Sequence, residues 1–221
     1  MDFSFTAEQR QIAAAIAKTC KRFDDSYWLA RDRTGDFPHD FCSALAADGW
    51  LGIAMPESYG GAGLGIMEAA LMMQTIAESG AAMSGCSAVH MNIFGPNVIV
   101  VFGTDEQKAR MLPPLIGGQT RACFGVTEPD TGLDTAHLKT LARRNGDHYL
   151  VNGRKVWTST AKVADKILLI ARTKSIEECD KASDGLSLFY TDLDRSTVEV
   201  REIEKMGRKA VDSNELFIDG L

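Results

Sequence analysis

The 221-residue sequence is poor in features that mark metal, disulfide or nucleic-acid chemistry. Its five cysteines, Cys20, Cys42, Cys86, Cys123 and Cys179, are odd in number and widely spaced, and no C-x-x-C pair occurs. That pattern argues against both a disulfide framework and a cysteine zinc site. No run of Lys or Arg exceeds two residues, and 24 basic side chains stand against 30 acidic ones, for a formal net charge of −6. Binding to nucleic acid or to an anionic lipid surface through bulk charge is not expected. His39, His90, His137 and His148 form no H-E-x-x-H or similar pair, so no metal site is read from them. A G-x-S-x-G nucleophile motif is missing as well. The opening MDFSFTAEQR lacks the basic and apolar regions of a secretory signal. The longest apolar runs, around AAMSGCSAVH and VIVVFG, are short and interrupted, so no membrane span is expected. A cytoplasmic globular chain is the expectation, with 45% hydrophobic and 24% charged residues.

The first 120 residues carry helical signals. Thr6 and Gln9 form a capping-box pattern, followed by Ile12, Ile16, Cys20 and Phe23 on one apolar face. A short helix is expected after Pro38, carrying Phe41 and Leu45 and stopping at Gly49. The segment from Ile66 to Ser79 is strongly helical, with Ile66, Ala69, Ala70, Met73, Ile76 and Ala77 as its predicted apolar stripe. One or two buried helices follow, the second opening near Pro96. Thr104 and Gln107 then repeat the capping box, and Gly117-Gly118 ends that helix. Beyond residue 120 the pattern becomes that of strands. KILLIART, GLSLFY, TVEVREI and NELFID are strand candidates, KSIEECDKASDG reads as an exposed loop, and Asn152-Gly153 predicts a hairpin turn. Helices first and strands afterwards indicate an α domain followed by a β domain, with the boundary near Gly118–Arg121.

Several chemical readings are weak. GGAGLG (Gly60–Gly65) superficially matches a dinucleotide fingerprint, but it lies between helices with no βαβ unit around it and reads as a tight loop. Asp24-Asp25, Glu177-Glu178 and Asp192/Asp194 sit in polar segments, where solvated charge is their expected role. Two segments remain: CFGVTEPDTGLDT (Cys123–Thr135) and GRKVWTSTAKVAD (Gly153–Asp165). Trp157 joins a large aromatic face to the hydroxyls of Thr158, Ser159 and Thr160, and Thr127 adds another. A flavin asks for such a set, a flat apolar surface with a polar edge. A structural reading stays open beside it, because a strand Trp is most often core and Thr-Glu-Pro is a plausible turn.

Taken in order, five segments resemble the acyl-CoA dehydrogenase family: PESYGGAGLG (Pro56–Gly65), GTDEQKARMLPPLIGGQ (Gly103–Gln119), FGVTEPDTGLD (Phe124–Asp134), YLVNGRKVWTST (Tyr149–Thr160) and EKMGRKAVDSNELFID (Glu204–Asp219). The resemblance runs over essentially the whole chain. It implies an α+β multidomain chain, with an all-α N-terminal domain (residues 1–120) followed by an antiparallel β-barrel-like, flavin-binding middle domain (residues 121–221). It implies FAD as cofactor, with Phe124, Gly125, Val126, Thr127, Gly132 and Leu133 along the flavin. Trp157 would pack on the ring, beside Thr158, and the Ser159 hydroxyl would reach flavin N5. Two positions depart from the family pattern. Leu133 stands where a phosphate-contacting Ser is usual, leaving only a backbone contact there, and Trp157-Thr158-Ser159 replaces W-I-T.

The reaction implied is α,β-dehydrogenation of an acyl-CoA thioester, with electrons passed to an electron-transfer flavoprotein. The full-length form is expected to be a homo-oligomer, dimer or tetramer. The family's catalytic Glu lies in a C-terminal helical bundle that would follow NELFIDGL, so no catalytic residue and no metal ligand is assigned here. Glu128 belongs to the Thr-Glu-Pro turn and has a structural role there. The chain alone is expected to be catalytically incompetent: a fragment of a full dehydrogenase, one component of a split enzyme, or a non-catalytic flavin- or acyl-CoA-binding module. A flavin monooxygenase or oxidase of the same architecture is the further alternative.

Overall fold

The computed structural model describes residues 4–221. It divides into two compact units. One runs to Arg121 and takes back Lys205–Val211; the other is Ala122–Glu204 with Asp212–Leu221.

The first unit is helical: α1 Ala7–Cys20, α2 Asp25–Thr34, α3 His39–Ala47, α4 Ile66–Ile76, α5 Ala82–Ile93, α6 Asn97–Phe102 and α7 Asp105–Ile116. Thr6 and Thr104 cap α1 and α7 through complete capping boxes with Gln9 and Gln107, which satisfy orphan N–H groups at each start. Ile16, Phe41, Leu45, Ile53, Met55, Met72, Ile76, Leu112 and Leu115 form the fully buried interior. Edge-on aromatic contacts cluster around Phe41, with Phe23 at 5.4 Å and Trp28 at 5.0 Å between ring centroids.

One expectation for this unit needs correction. The apolar stripe of α4 is rotated from the predicted one: Ala69, Leu71, Met72, Thr75 and Ile76 are buried, whereas Ile66, Ala70 and Ala77 are exposed. An almost wholly apolar helix has no polar face to fix its phase, so packing decides it. Helix α2 carries little sequence signal, because a single side chain, Trp28, is buried along it. By length and composition alone Ile66–Phe102 could cross a membrane. Positive φ at Gly80 (93°) and Ala82 (46°), and the turn before Pro96, break it into α4, α5 and α6 instead.

The second unit is one curled seven-stranded sheet: β1 Ala122–Gly125, β2 Leu141–Asn145, β3 His148–Ser159, β4 Lys166–Arg172, β5 Leu186–Asp192, β6 Val198–Glu202 and β7 Ser213–Asp219. Its strand order is β1-β4-β2-β3-β7-β6, with β5 also paired to β4. The expected β-barrel-like architecture is present as a curled half-barrel, but the sheet is mixed rather than wholly antiparallel. β1 runs parallel to β4, and β2 touches β4 in parallel. The excursion through β2 and β3 supplies the long crossover that a parallel pair requires. The four later strand candidates are β4 to β7.

The hairpin predicted at Asn152-Gly153 is not there. β3 runs straight through it, with Asn152 opposite Asp219 and Gly153 opposite Ile218. The turn instead uses the preceding Asn-Gly pair: Asn145 faces His148 across the two-residue loop Gly146-Asp147, with Gly146 at φ 67°. Gly153 is required for space, since a Cβ there would collide with Thr140. The core of the sheet holds Cys123, Ala142, Val151, Ile167, Leu169, Ala171, Val198, Leu216 and Ile218.

Candidate functional site

The end of β1 and the end of β3 lie side by side. The Val156 N–H donates to the Thr127 carbonyl at 2.8 Å, and Thr160 Oγ1, which donates to the Ser159 carbonyl at 2.6 Å, lies 3.5 Å from the Ala122 carbonyl. The bond and the close approach bring the segment 124–127 alongside the segment 157–159, although some thirty residues separate them in sequence.

The bend that presents Trp157 is a β-bulge. Lys155 pairs with Leu216 and Thr158 with Asn214, so Val156 and Trp157 oppose Glu215 alone. Trp157 takes φ 62°, a left-handed conformation rarely adopted by a bulky side chain. It is 61% exposed and Phe124 is 37% exposed, so two aromatic faces meet solvent within this region. Strained backbone that presents an exposed indole is a feature of binding sites rather than of cores. Thr160, also left-handed at φ 64°, closes the bulged segment.

A buried ion pair holds the bulge from behind. Lys155 is fully buried, and its Nζ donates to Glu128 Oε1 at 2.9 Å and to the Val126 carbonyl at 3.0 Å. Glu128, 5% exposed, also accepts the Lys139 N–H at 2.7 Å and the Thr140 N–H at 2.9 Å. Burial alone would raise the Glu128 pKa, but hydrogen bonds from Thr140, Lys139 and Lys155 outweigh it and hold the carboxyl below its ordinary value. Burial pulls the Lys155 ammonium down, and Glu128 offsets part of that. Sequence reading gave Glu128 a structural role in its turn but did not find its partner. The Lys two residues before the Trp was the available signal.

The other predicted site residues differ in exposure. Gly125 is buried, where a Cβ would press on Leu169, Ile167 and the Lys155 stem. Val126, Thr127 and Ser159 are partly exposed. Thr158 lies in the interior instead, 1% exposed, and neither its hydroxyl nor Asn214 Oδ1 has a hydrogen-bond partner. Asn214 Nδ2 donates to the Thr158 carbonyl at 2.9 Å and to Asp212. Gly132 and Leu133 form an exposed loop apex, with Leu133 wholly exposed. That loop is pre-set by paired bonds between Glu128 and Thr131, by the Asp134–His137 contact at 2.6 Å, and by the buried Arg172, which donates to the carbonyls of Leu138 and Ala136.

The end of β3 offers what a flat aromatic ligand with hydrogen-bonding edges needs, an exposed indole and the partly exposed Ser159 and Thr127, with the exposed Phe124 on the adjoining segment. The glycine loop Gly60–Gly65 does not suit phosphate. The N–H groups of Gly61, Ala62, Gly63 and Leu64 donate to the carbonyls of Pro56, Gly52, Met55 and Ile53, leaving no anion cradle. Among the described residues no group of three or more His, Cys, Asp or Glu side chains could hold a metal ion.

Known proteins match the chain in both units. The family description "Acyl-CoA dehydrogenase, N-terminal domain" matches residues 6–119, and "Acyl-CoA dehydrogenase, middle domain" matches residues 123–221. A 3-(aryl)acrylate reductase of Clostridium sporogenes is 31% identical over 196 residues, covering 86% of this chain and 49% of the relative. A probable acyl-CoA dehydrogenase, YngJ, of Bacillus subtilis is 29% identical over 219 residues, covering 99% of this chain and 57% of the relative. The crystal structure of acyl-CoA dehydrogenase from Geobacillus kaustophilus superimposes with a TM-score of 0.90 at 26% identity, over 100% of this chain and 57% of that one. The chain thus spans about half the length of the relatives it matches.

Proposed function

The chain belongs to the acyl-CoA dehydrogenase family, and from that premise we propose that its β unit holds the flavin of an FAD-dependent α,β-dehydrogenation of acyl-CoA thioesters. Members of this family bind FAD and act on acyl-CoA. The observation that carries the reading is Trp157, exposed and strained beside Phe124–Thr127. Bound FAD would accept the hydride that leaves the acyl β-carbon, with an electron-transfer flavoprotein as the next acceptor.

The chain's own residues would bind and orient. Trp157 offers the apolar surface for the ring system, and Ser159 brings a hydroxyl to the same segment. The backbone at Val126 and Thr127 supplies polar groups for the flavin edge, and the Gly132-Leu133 apex supplies backbone where a side-chain hydroxyl is usual in the family. Removal of the α-proton is not assigned to a carboxylate of this wall. Glu128 is buried in its ion pair, Asp130 pairs with Lys139 at 3.1 Å, and Asp134 pairs with His137 at 2.6 Å.

Gel filtration of the purified chain with an excess of FAD, and separately of NAD, tests the cofactor assignment. FAD is expected to co-elute with the protein and NAD to elute free. Co-elution of NAD, or of neither nucleotide, would overturn it.

A further inference from the structure

A buried ion pair gains little net stability over apolar side chains of equal volume. The Lys155–Glu128 pair is fully buried, so its benefit is sought in what it joins. Lys155 stands two residues before Trp157, and its Nζ donates to the carbonyl of Val126, next to Thr127. On the other side of the pair, the Glu128 carboxylate gathers the N–H groups of Lys139 and Thr140, where the polypeptide re-enters the sheet at β2. Gly125 gives the Lys155 stem its passage, with Lys155 Cγ 3.4 Å from where a Cβ would stand. A backbone bond between the Thr-Glu-Pro turn and the bulge, Val156 N–H to the Thr127 carbonyl, lies beside this clamp.

We propose that Lys155, acting with Glu128, is a positioning residue that clamps the end of β1 to the bulge of β3 and thereby fixes Thr127 and Trp157 relative to each other for the flavin. The inference rests on the flavin reading given above. It assigns Lys155 no contact with the cofactor or the reacting atoms. Its effect passes through the carbonyl of Val126 and the carboxylate of Glu128.

Lys155→Met alone leaves a buried, uncompensated carboxylate and risks unfolding, so the test uses Lys155→Met/Glu128→Gln. That double variant removes both charges together and leaves an amide oxygen to accept from Lys139 or Thr140. Ile218→Ala, a core truncation elsewhere in the sheet, is the control for lost stability without loss of the clamp. Two quantities are read on the full chain: hydrogen exchange at the Val156 amide relative to the other β3 amides, and the FAD dissociation constant by flavin-fluorescence titration.

In the double variant, Val156 exchange is expected to accelerate about tenfold relative to its neighbours and FAD to bind about tenfold more weakly, the effect of losing one well-placed interaction. Ile218→Ala is expected to lower the melting temperature while leaving the relative exchange of Val156 and the FAD affinity near those of the parent. Unchanged Val156 exchange, unchanged FAD affinity, or the same losses in Ile218→Ala would each overturn the inference. A parent chain that binds no FAD overturns the flavin reading and the inference with it. A parent that binds FAD beside a double variant that binds it equally well overturns the inference alone.

Discussion

Trp157 carries the largest conflict between local preference and observed structure. A bulky residue at φ 62° costs roughly 1 kcal/mol or more relative to a relaxed backbone, and Asn tolerates that conformation far better. Trp157→Asn is therefore expected to raise the stability of the ligand-free chain by about 1 kcal/mol while lowering FAD affinity. Thermal melting and FAD titration on the same sample check both halves. A drop in stability would show that the indole packs in place rather than waiting for a ligand. Thr158 presents the opposite case, a buried hydroxyl with no partner. Removing it as Thr158→Val should be neutral or stabilising by up to about 1 kcal/mol, read by urea denaturation. Cysteine chemistry also separates by residue. Burial pushes the Cys42 and Cys123 thiols up to about 12, so both should resist alkylation in the folded chain at neutral pH. Cys179, the half-exposed one, should be modified first, as peptide mapping after brief iodoacetamide treatment would show.

At the scale of elements, legibility followed the strength of local signals. The capping boxes at Thr6 and Thr104 were readable because a polar side chain three residues before a glutamine has few other uses. Helix α2 had readable ends, with Asp24 as N-cap and Gly35 at φ 79° closing it, but almost no apolar face to announce it. The two Asn-Gly pairs show where local chemistry runs out. Both tolerate a tight turn, and the second stays extended because Asn152 and Gly153 pair with Asp219 and Ile218 of β7, with Thr140 leaving room there for no side chain. Gly153→Ala is accordingly expected to destabilise the chain by roughly 2 kcal/mol through overpacking, measured as a fall in the urea midpoint. The candidate site was legible as two segments with suitable chemistry. Their union was not, because it depends on a parallel β1–β4 pair, a bulge and a buried Lys–Glu pair, all set by tertiary pairing rather than by composition.

For the whole molecule, the buried ion pair predicts a pH response. The Glu128 carboxyl is held below its ordinary value of 4.5 in the folded chain. Its contribution to stability is therefore fully present above that value and is lost as pH falls through the lower folded pKa. Denaturation midpoints followed from pH 7 into the acid should fall steeply below about 4.5 in the parent, and less steeply in the Lys155→Met/Glu128→Gln variant. The central claim concerns the wall formed by Phe124–Leu133 and Trp157–Ser159. Equilibrium titration of the purified chain with FAD, parent beside Trp157→Ala, tests it most directly. Saturable binding by the parent, weakened about tenfold or more by removal of an aromatic stacking face without loss of fold, is the predicted result. Absence of saturable binding by the folded parent, or equal affinity in the two proteins, would contradict it.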